Sequence, residues 1–207
     1  MIQTPVLPDS LAQDATFAIL SASHGPGPAL AERAAGLGAD VIAMDSDPSG
    51  LAKVVGAAPD KIEGLALVGD PVARLEPLRQ TWGDTPLHMV LNLMPLEWSN
   101  TQAQGIDAQI RGLSALMRAL GRGLAAGQGA VVSVLERSQQ PLALSAHGMI
   151  AAVAAANEAL AQVFGPRGIR FYTVTVPEGQ ADQSVETALF LASPAGQRLR
   201  SRRIDLD

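Results

Sequence analysis

The 207-residue chain is 47% hydrophobic and only 17% charged, and alanine and glycine rather than aromatic residues supply much of its apolar content. With no cysteine, disulfides, thiolate catalysis and thiolate metal sites are excluded, and three histidines at 24, 88 and 147 are too scattered for a metal motif. A net charge of −5, with the one basic cluster (Arg198, Arg200, Arg202, Arg203) at the C-terminal end, argues against a nucleic-acid partner. At this length a single domain over residues 1–207 can bury roughly 70% of its unfolded surface around one core. No uninterrupted apolar run approaches the roughly 18 residues of a membrane span. Residues 1–14 lack the charged-then-apolar order of a signal peptide. The sequence therefore predicts a soluble, cytoplasmic protein with no membrane partner.

Residues 1–14, with Pro5 and Pro8, read as an irregular lead-in. The apolar run 16–20 has no polar alternation, the pattern of a strand buried on both faces of a parallel sheet. A Gly/Pro/Ser turn over 21–28 leads into an alanine-rich helix, 29–37, closed by Gly38, and 40–44 repeats the buried-strand pattern and ends at Asp45. Together these make one βαβ unit. The alternation continues with a helix at 51–55, a strand at 65–68, a helix at 72–82 and a strand at 88–93. A long helix over 101–124 carries Ile106, Ile110, Leu113, Leu116, Met117 and Leu120 at helical spacing. A strand at 130–135, a nearly all-apolar helix at 149–163, a strand at 169–176, a helix at 185–192 and a last strand at 203–206 complete the chain. This order predicts an α/β fold, a single Rossmann-type doubly wound parallel sheet with helices on both faces.

A strand running into Ser21-Ala-Ser-His-Gly-Pro-Gly27 and then a helix can present backbone N–H groups and a helix N-terminus to a pyrophosphate. Ser23, Gly25 and Gly27 are the turn's candidate ligands, and Asp45 at the end of the second strand stands where a ribose hydroxyl would be held. The same residues also suit a tight strand-to-helix turn with Pro28 in the first helical turn. Pro26 has no N–H, and Ser21 stands where a glycine would let the backbone approach a ligand closely.

The turn, Val90-Leu-Asn-Leu-Met-Pro95, Gly129-Ala-Val-Val-Ser-Val134 and Gly165-Pro-Arg-Gly-Ile-Arg170 follow one another in an order that resembles the short-chain dehydrogenases/reductases over nearly the whole chain. The resemblance implies NAD(P) at the glycine turn, with Asn92 as a further contact, and an Asn-Ser-Tyr-Lys catalytic set in which a lysine cation four residues beyond the tyrosine stabilises phenolate. This chain has one tyrosine, Tyr172, in a predicted strand, and two lysines, Lys53 and Lys61, far upstream. Aligned on residues 165–170, the four catalytic positions fall on Gln109, Glu136, Ala146 and Ile150. The first turn glycine becomes Ser21, the adenine-contacting aspartate Leu67, and the Asn-Ala-Gly stretch Leu93-Met94-Pro95. Only residues 178–184 remain of the family's substrate lid, between 177 and 185, too few to enclose a substrate.

Substitute chemistry has few candidates. His147 beside Ser145, with Glu136, offers the residue types of a base and a nucleophile, but no nucleophile elbow surrounds them. Ser145 reads more simply as a helix cap, His147 and His24 as solvated, and Trp82 and Trp98 as core or rim packing. In the resembled family two long helices, here 101–124 and 149–163, form a four-helix subunit interface. Residues 150–156 are apolar all round, which leaves either deep burial within one chain or a partner helix on the outer face. The sequence therefore predicts a catalytically inactive subunit that oligomerises with itself or with an active homologue through these helices. It binds no cofactor on this reading, with NAD(H) the choice if any dinucleotide binds. The alternatives are a divergent NAD(P)-dependent oxidoreductase built around Glu136 and His147, or a dinucleotide-sensing regulator.

Overall fold

The apolar run Thr16–Leu20 forms β1, hydrogen-bonded on one side to β2 (Asp40–Asp45) and on the other to β4 (Met89–Asn92). β3 (Ile62–Ala66) pairs outside β2, while β5 (Ala130–Arg137), β6 (Arg170–Pro177) and β7 (Arg203–Asp205) continue beyond β4. The seven strands are all parallel, in the order β3-β2-β1-β4-β5-β6-β7. This computed structural model describes residues 13–70, 72–97, 104–140, 143–199 and 201–207, with Gln104 by its backbone alone.

Helices cover both faces. On one, α1 (Gly27–Gly36), α2 (Pro48–Ala57) and α7 (Ser184–Ala192) bury Leu30, Ala34, Leu51, Val54, Ala188 and Leu189 against Phe17, Ile19, Val41 and Leu91. On the other, α3 (Glu76–Thr81), α5 (Gln104–Ala126) and α6 (Leu144–Phe164) bury Leu78, Leu116, Leu120 and Ala161 against Ala18, Leu20, Val90 and Phe171. A four-residue helix, α4 (Met94–Glu97), follows β4 directly. The doubly wound parallel architecture read from the alternating pattern is the one observed.

Local chemistry sets the ends. Asp47 caps α2 by accepting from Ser49 N–H at 2.9 Å, with Pro48 in the first helical turn. The Arg170 guanidinium donates to Leu191 O at 2.7 Å and Ala192 O at 3.4 Å, placing positive charge at the C-terminal, negative end of α7.

Three readings shift. The third strand lies at 62–66 rather than 65–68, because it is an edge strand. Ile62 is buried while Glu63 is exposed, Gly64 leaves no side chain against Val55 and Leu51 of α2, and Val68 is 80% exposed as the chain leaves the edge. The helix expected over 72–82 is a 3₁₀ turn, Ala73–Leu75, followed by the short α3, with Pro77 in its first turn. Ser145 does not cap α6, which starts at Leu144 after Ala143 with no side-chain cap. Residues 101–103 of the expected long helix, and Trp98, lie outside the described residues. Trp82 packs at the rim, its Nε1–H donating to Thr85 O at 3.0 Å.

By length and composition α6 is apolar enough to cross a membrane, although no unbroken apolar run of that length exists. In the fold it lies along β5 and β6 with Ile150, Val153, Asn157 and Ala161 buried. Its outer residues Leu144 and Val163 are 74% and 63% exposed, so deep burial within one chain does not account for its composition.

Candidate functional site

Strand order reverses at β1, whose neighbours β2 and β4 lead their connections to opposite sides of the sheet, and the crevice beyond the C-terminal ends of these strands is where open α/β sheets hold ligands. The glycine turn 21–27 and α4 both meet this crevice. Most amides of the turn are engaged within the chain. Ala22 N–H donates to Met44 O at 3.0 Å, Ser23 N–H to Asp45 Oδ2 at 2.7 Å, His24 N–H to Ser21 O at 3.0 Å and Gly27 N–H to His24 O at 3.0 Å. Pro26 contributes none.

Asp45 is 1% exposed and bound into the same turn. It accepts from the Ser23 hydroxyl at 2.8 Å and from Asp47 N–H at 2.9 Å, with His24 Nδ1 at 3.6 Å. Burial pushes its carboxyl up, but the hydrogen bonds from Asp47 and Ser23 outweigh burial and hold it below the ordinary carboxylate range. Gly25 has φ +48°, and a Cβ placed there would lie 2.6 Å from Leu96 Cδ1 and 3.3 Å from Ala181 Cβ. Leu96 of α4 and Ala181 of the short 178–184 segment thus lie directly on the turn. At Gly27 a Cβ would meet Ala22 O at 2.2 Å, so this glycine serves the close packing of α1 on the strand end.

Glu97, the last residue of α4, closes the other half of the crevice. The Arg74 guanidinium grips its carboxylate through two bonds, Nη1 to Oε2 at 2.9 Å and Nη2 to Oε1 at 3.2 Å. The Ser21 hydroxyl donates to Oε2 at 2.7 Å and the Ser46 hydroxyl to Oε1 at 3.3 Å. The pair is largely buried, with Arg74 and Glu97 side chains 5% and 12% exposed. Burial raises the Glu97 carboxyl, yet the hydrogen bonds from Arg74 and Ser21 carry it below the usual range. Ser21 itself holds φ +58°, a left-handed conformation that costs a non-glycine residue on the order of 1 kcal/mol. Neither Leu96 nor the Arg74–Glu97 pair was marked by the sequence pattern. The signal available was an acidic residue four positions after the short strand 88–93.

A dinucleotide does not fit these residues as placed. Of the five candidates, Ser23 and Asp45 bind each other, Gly25 lies under Leu96 and Ala181, and Gly27 packs on Ala22 O. Asn92 is fully buried, its Nδ2 donating to Ser133 Oγ at 3.2 Å and its Oδ1 accepting from Met94 N–H at 3.3 Å. Asn92, Ser133 and Thr173 stand in one row across β4, β5 and β6, and Asn157 of α6 seals the row by donating to Thr173 Oγ1 at 2.9 Å and Tyr172 O at 3.3 Å.

The four positions aligned with catalytic residues are also resolved. Gln109 lies in α5, 1% exposed, with neither amide atom hydrogen-bonded among the described residues. Glu136, near the end of β5, accepts from Gly179 N–H at 3.2 Å and forms no ion pair with His147, which is exposed on α6. Ala146 lies early in α6, and Ile150 packs with Leu113 and Leu135. Tyr172 is buried in β6, its hydroxyl donating to Gly196 O at 3.0 Å, while Lys61 reaches Asp40 Oδ1 at 2.9 Å beside β2, with β1, β4 and β5 between, and Lys53 lies on α2. Tyrosine and lysine do not converge.

Comparison with solved structures places this architecture. A citronellol catabolism dehydrogenase (AtuB) of Pseudomonas aeruginosa PAO1 superposes with a TM-score of 0.77 at 17% identity over 98% of both chains. The chain has the short-chain dehydrogenase/reductase fold. An oxidoreductase of the short chain dehydrogenase/reductase family from Burkholderia thailandensis gives a TM-score of 0.73 at 18% identity, over 95% of this chain and 92% of that one. BdcA (YjgI) from E. coli gives 0.69 at 18% identity, over 95% and 99%. No protein-family model and no curated protein matches the sequence. At such identities the likeness is one of short-chain dehydrogenase/reductase fold.

Proposed function

We propose that the chain is a catalytically inactive subunit with the short-chain dehydrogenase/reductase fold, which oligomerises with itself or with an active homologue through α5 and α6. The observation that carries this reading is the closed crevice: Leu96 and Ala181 lie on Gly25, and the Arg74–Glu97 pair occupies the ends of β1 and β2. Both retained helices offer surface for association. The outer surface of α6 is mostly apolar, with Leu144, Ala151, Ala155, Ala159 and Val163 exposed beside the polar Glu158 and Gln162, whereas α5 turns Asp107, Arg111, Ser114, Arg118 and Arg122 outward. An apolar α6 surface rimmed by the charges of α5 suits a protein partner better than water.

Two measurements test the reading. Titration with NAD(H) and NADP(H) by calorimetry is expected to give no saturable heat at millimolar concentration. Saturable binding with turnover would establish the divergent oxidoreductase instead, and binding without turnover the dinucleotide sensor. Light scattering at micromolar protein is expected to give a mass above the 21.4 kDa of one chain. A strict monomer that co-purifies with no related dehydrogenase overturns the association.

A further inference from the structure

Four donors from three separate segments converge on one carboxylate. The Arg74 fork, the Ser21 hydroxyl and the Ser46 hydroxyl all point at the two oxygens of Glu97. Such a set is not peculiar to carboxylates, because a guanidinium fork matches the spacing of two phosphate oxygens equally well and hydroxyls donate to either anion. Ser21 is buried and held at positive φ while it donates, so its hydroxyl is aimed by the surrounding structure. The Arg74 side chain is 5% exposed, and its charge inside the fold requires a counter-anion.

We propose that Ser21, Ser46 and Arg74 form an oxyanion-binding cradle that the chain fills with its own Glu97, so that Glu97 competes with any external phosphate group for this site. The proposal rests on the closed crevice described above. Because Glu97 is tethered, its effective concentration at the cradle exceeds that of millimolar free ligand, and the wild-type site stays closed to it.

The test uses Glu97→Ala with inorganic pyrophosphate as the probe, read by thermal melting and by calorimetry at constant ionic strength. The variant is expected to bind pyrophosphate at least tenfold more tightly than wild type and to melt higher with it, while chloride has no such effect. The double variant Arg74→Met/Glu97→Met, which removes both charges, is expected to show no response. If Glu97→Ala does not fold, Glu97→Gln carries the test, since its amide oxygen still receives Arg74 without the competing charge. A folded variant that, like wild type and the double variant, shows no saturable pyrophosphate binding overturns the cradle and leaves the proposed function standing. Wild type that binds pyrophosphate as tightly as the variant overturns the closed crevice and the cradle together.

Discussion

Two glycines at opposite ends of α1 should respond in opposite directions to the same substitution. At Gly27 the added Cβ would lie 2.2 Å from Ala22 O, 2.8 Å from Ala22 C and 3.1 Å from Ala22 Cα, all backbone atoms that no rotamer change can move. That is roughly 1 Å inside the ordinary C···O contact of about 3.3 Å. Overpacking of this kind costs about 1–3 kcal/mol, and we expect about 2 for Gly27→Ala. At Gly36 nothing lies within 4 Å and the residue is exposed at the helix end, so alanine should add about 0.5–1 kcal/mol through helix propensity and a less disordered unfolded chain. In a chain of this size 1 kcal/mol shifts Tm by about 2–4 °C. Gly27→Ala should therefore melt about 4–8 °C below wild type and Gly36→Ala about 1–4 °C above it, in ligand-free buffer by calorimetry. Gly27→Ala melting at or above wild type would refute the packing account and return Gly27 to the role of a residue reserved for a ligand.

Gln109→Met should raise Tm by about 2–8 °C, because it removes a buried amide with no hydrogen bond among the described residues at a cost of about 1–2 kcal/mol in the native protein; a fall would reveal a polar partner at that amide. Glu97 and Asp45 have folded pKa values below their ordinary ones, so their contribution is complete above the ordinary carboxylate range and lost as pH falls through the folded values. Melting between pH 7 and 3 should accordingly fall with acid, and less steeply in Glu97→Gln; equal slopes would contradict this origin. Ala155→Glu/Val163→Glu on the exposed face of α6 should leave Tm within about 2 °C, as surface changes do, yet convert the assembly to monomers by light scattering. An unchanged mass would move the interface elsewhere.

The sheet was legible because five of its strands are continuous apolar runs or close to it, the signature of burial on both faces. β3 was misplaced because it is an edge strand in which the exposed Glu63, Gly64 and Ala66 break the apolar run. α4, four residues long, gave no periodicity to read. The glycine turn was found at its true place, but its closure depends on contacts that sequence proximity cannot reveal. Ser21 meets Glu97 across 76 positions, and Arg74 meets it across 23. Nor does a serine announce a positive φ. Asp45 sits at the strand end as read, but a terminal aspartate says nothing of which way it turns, and it faces inward to Ser23.

The polar row of Asn92, Ser133 and Thr173 under Asn157 has a consequence for assembly. Rotating α6 about its axis would tear the two amide hydrogens of Asn157 from the acceptors they share, Thr173 Oγ1, Tyr172 O and Ser133 Oγ, inside an apolar interior, so the helix is keyed to a single orientation. Whatever docks on its outward side meets a rigid plate and not an adaptable one, and little ordering entropy is lost on contact. Affinity changes among variants of that plate should then register mainly in how long complexes last, with encounter rates almost constant.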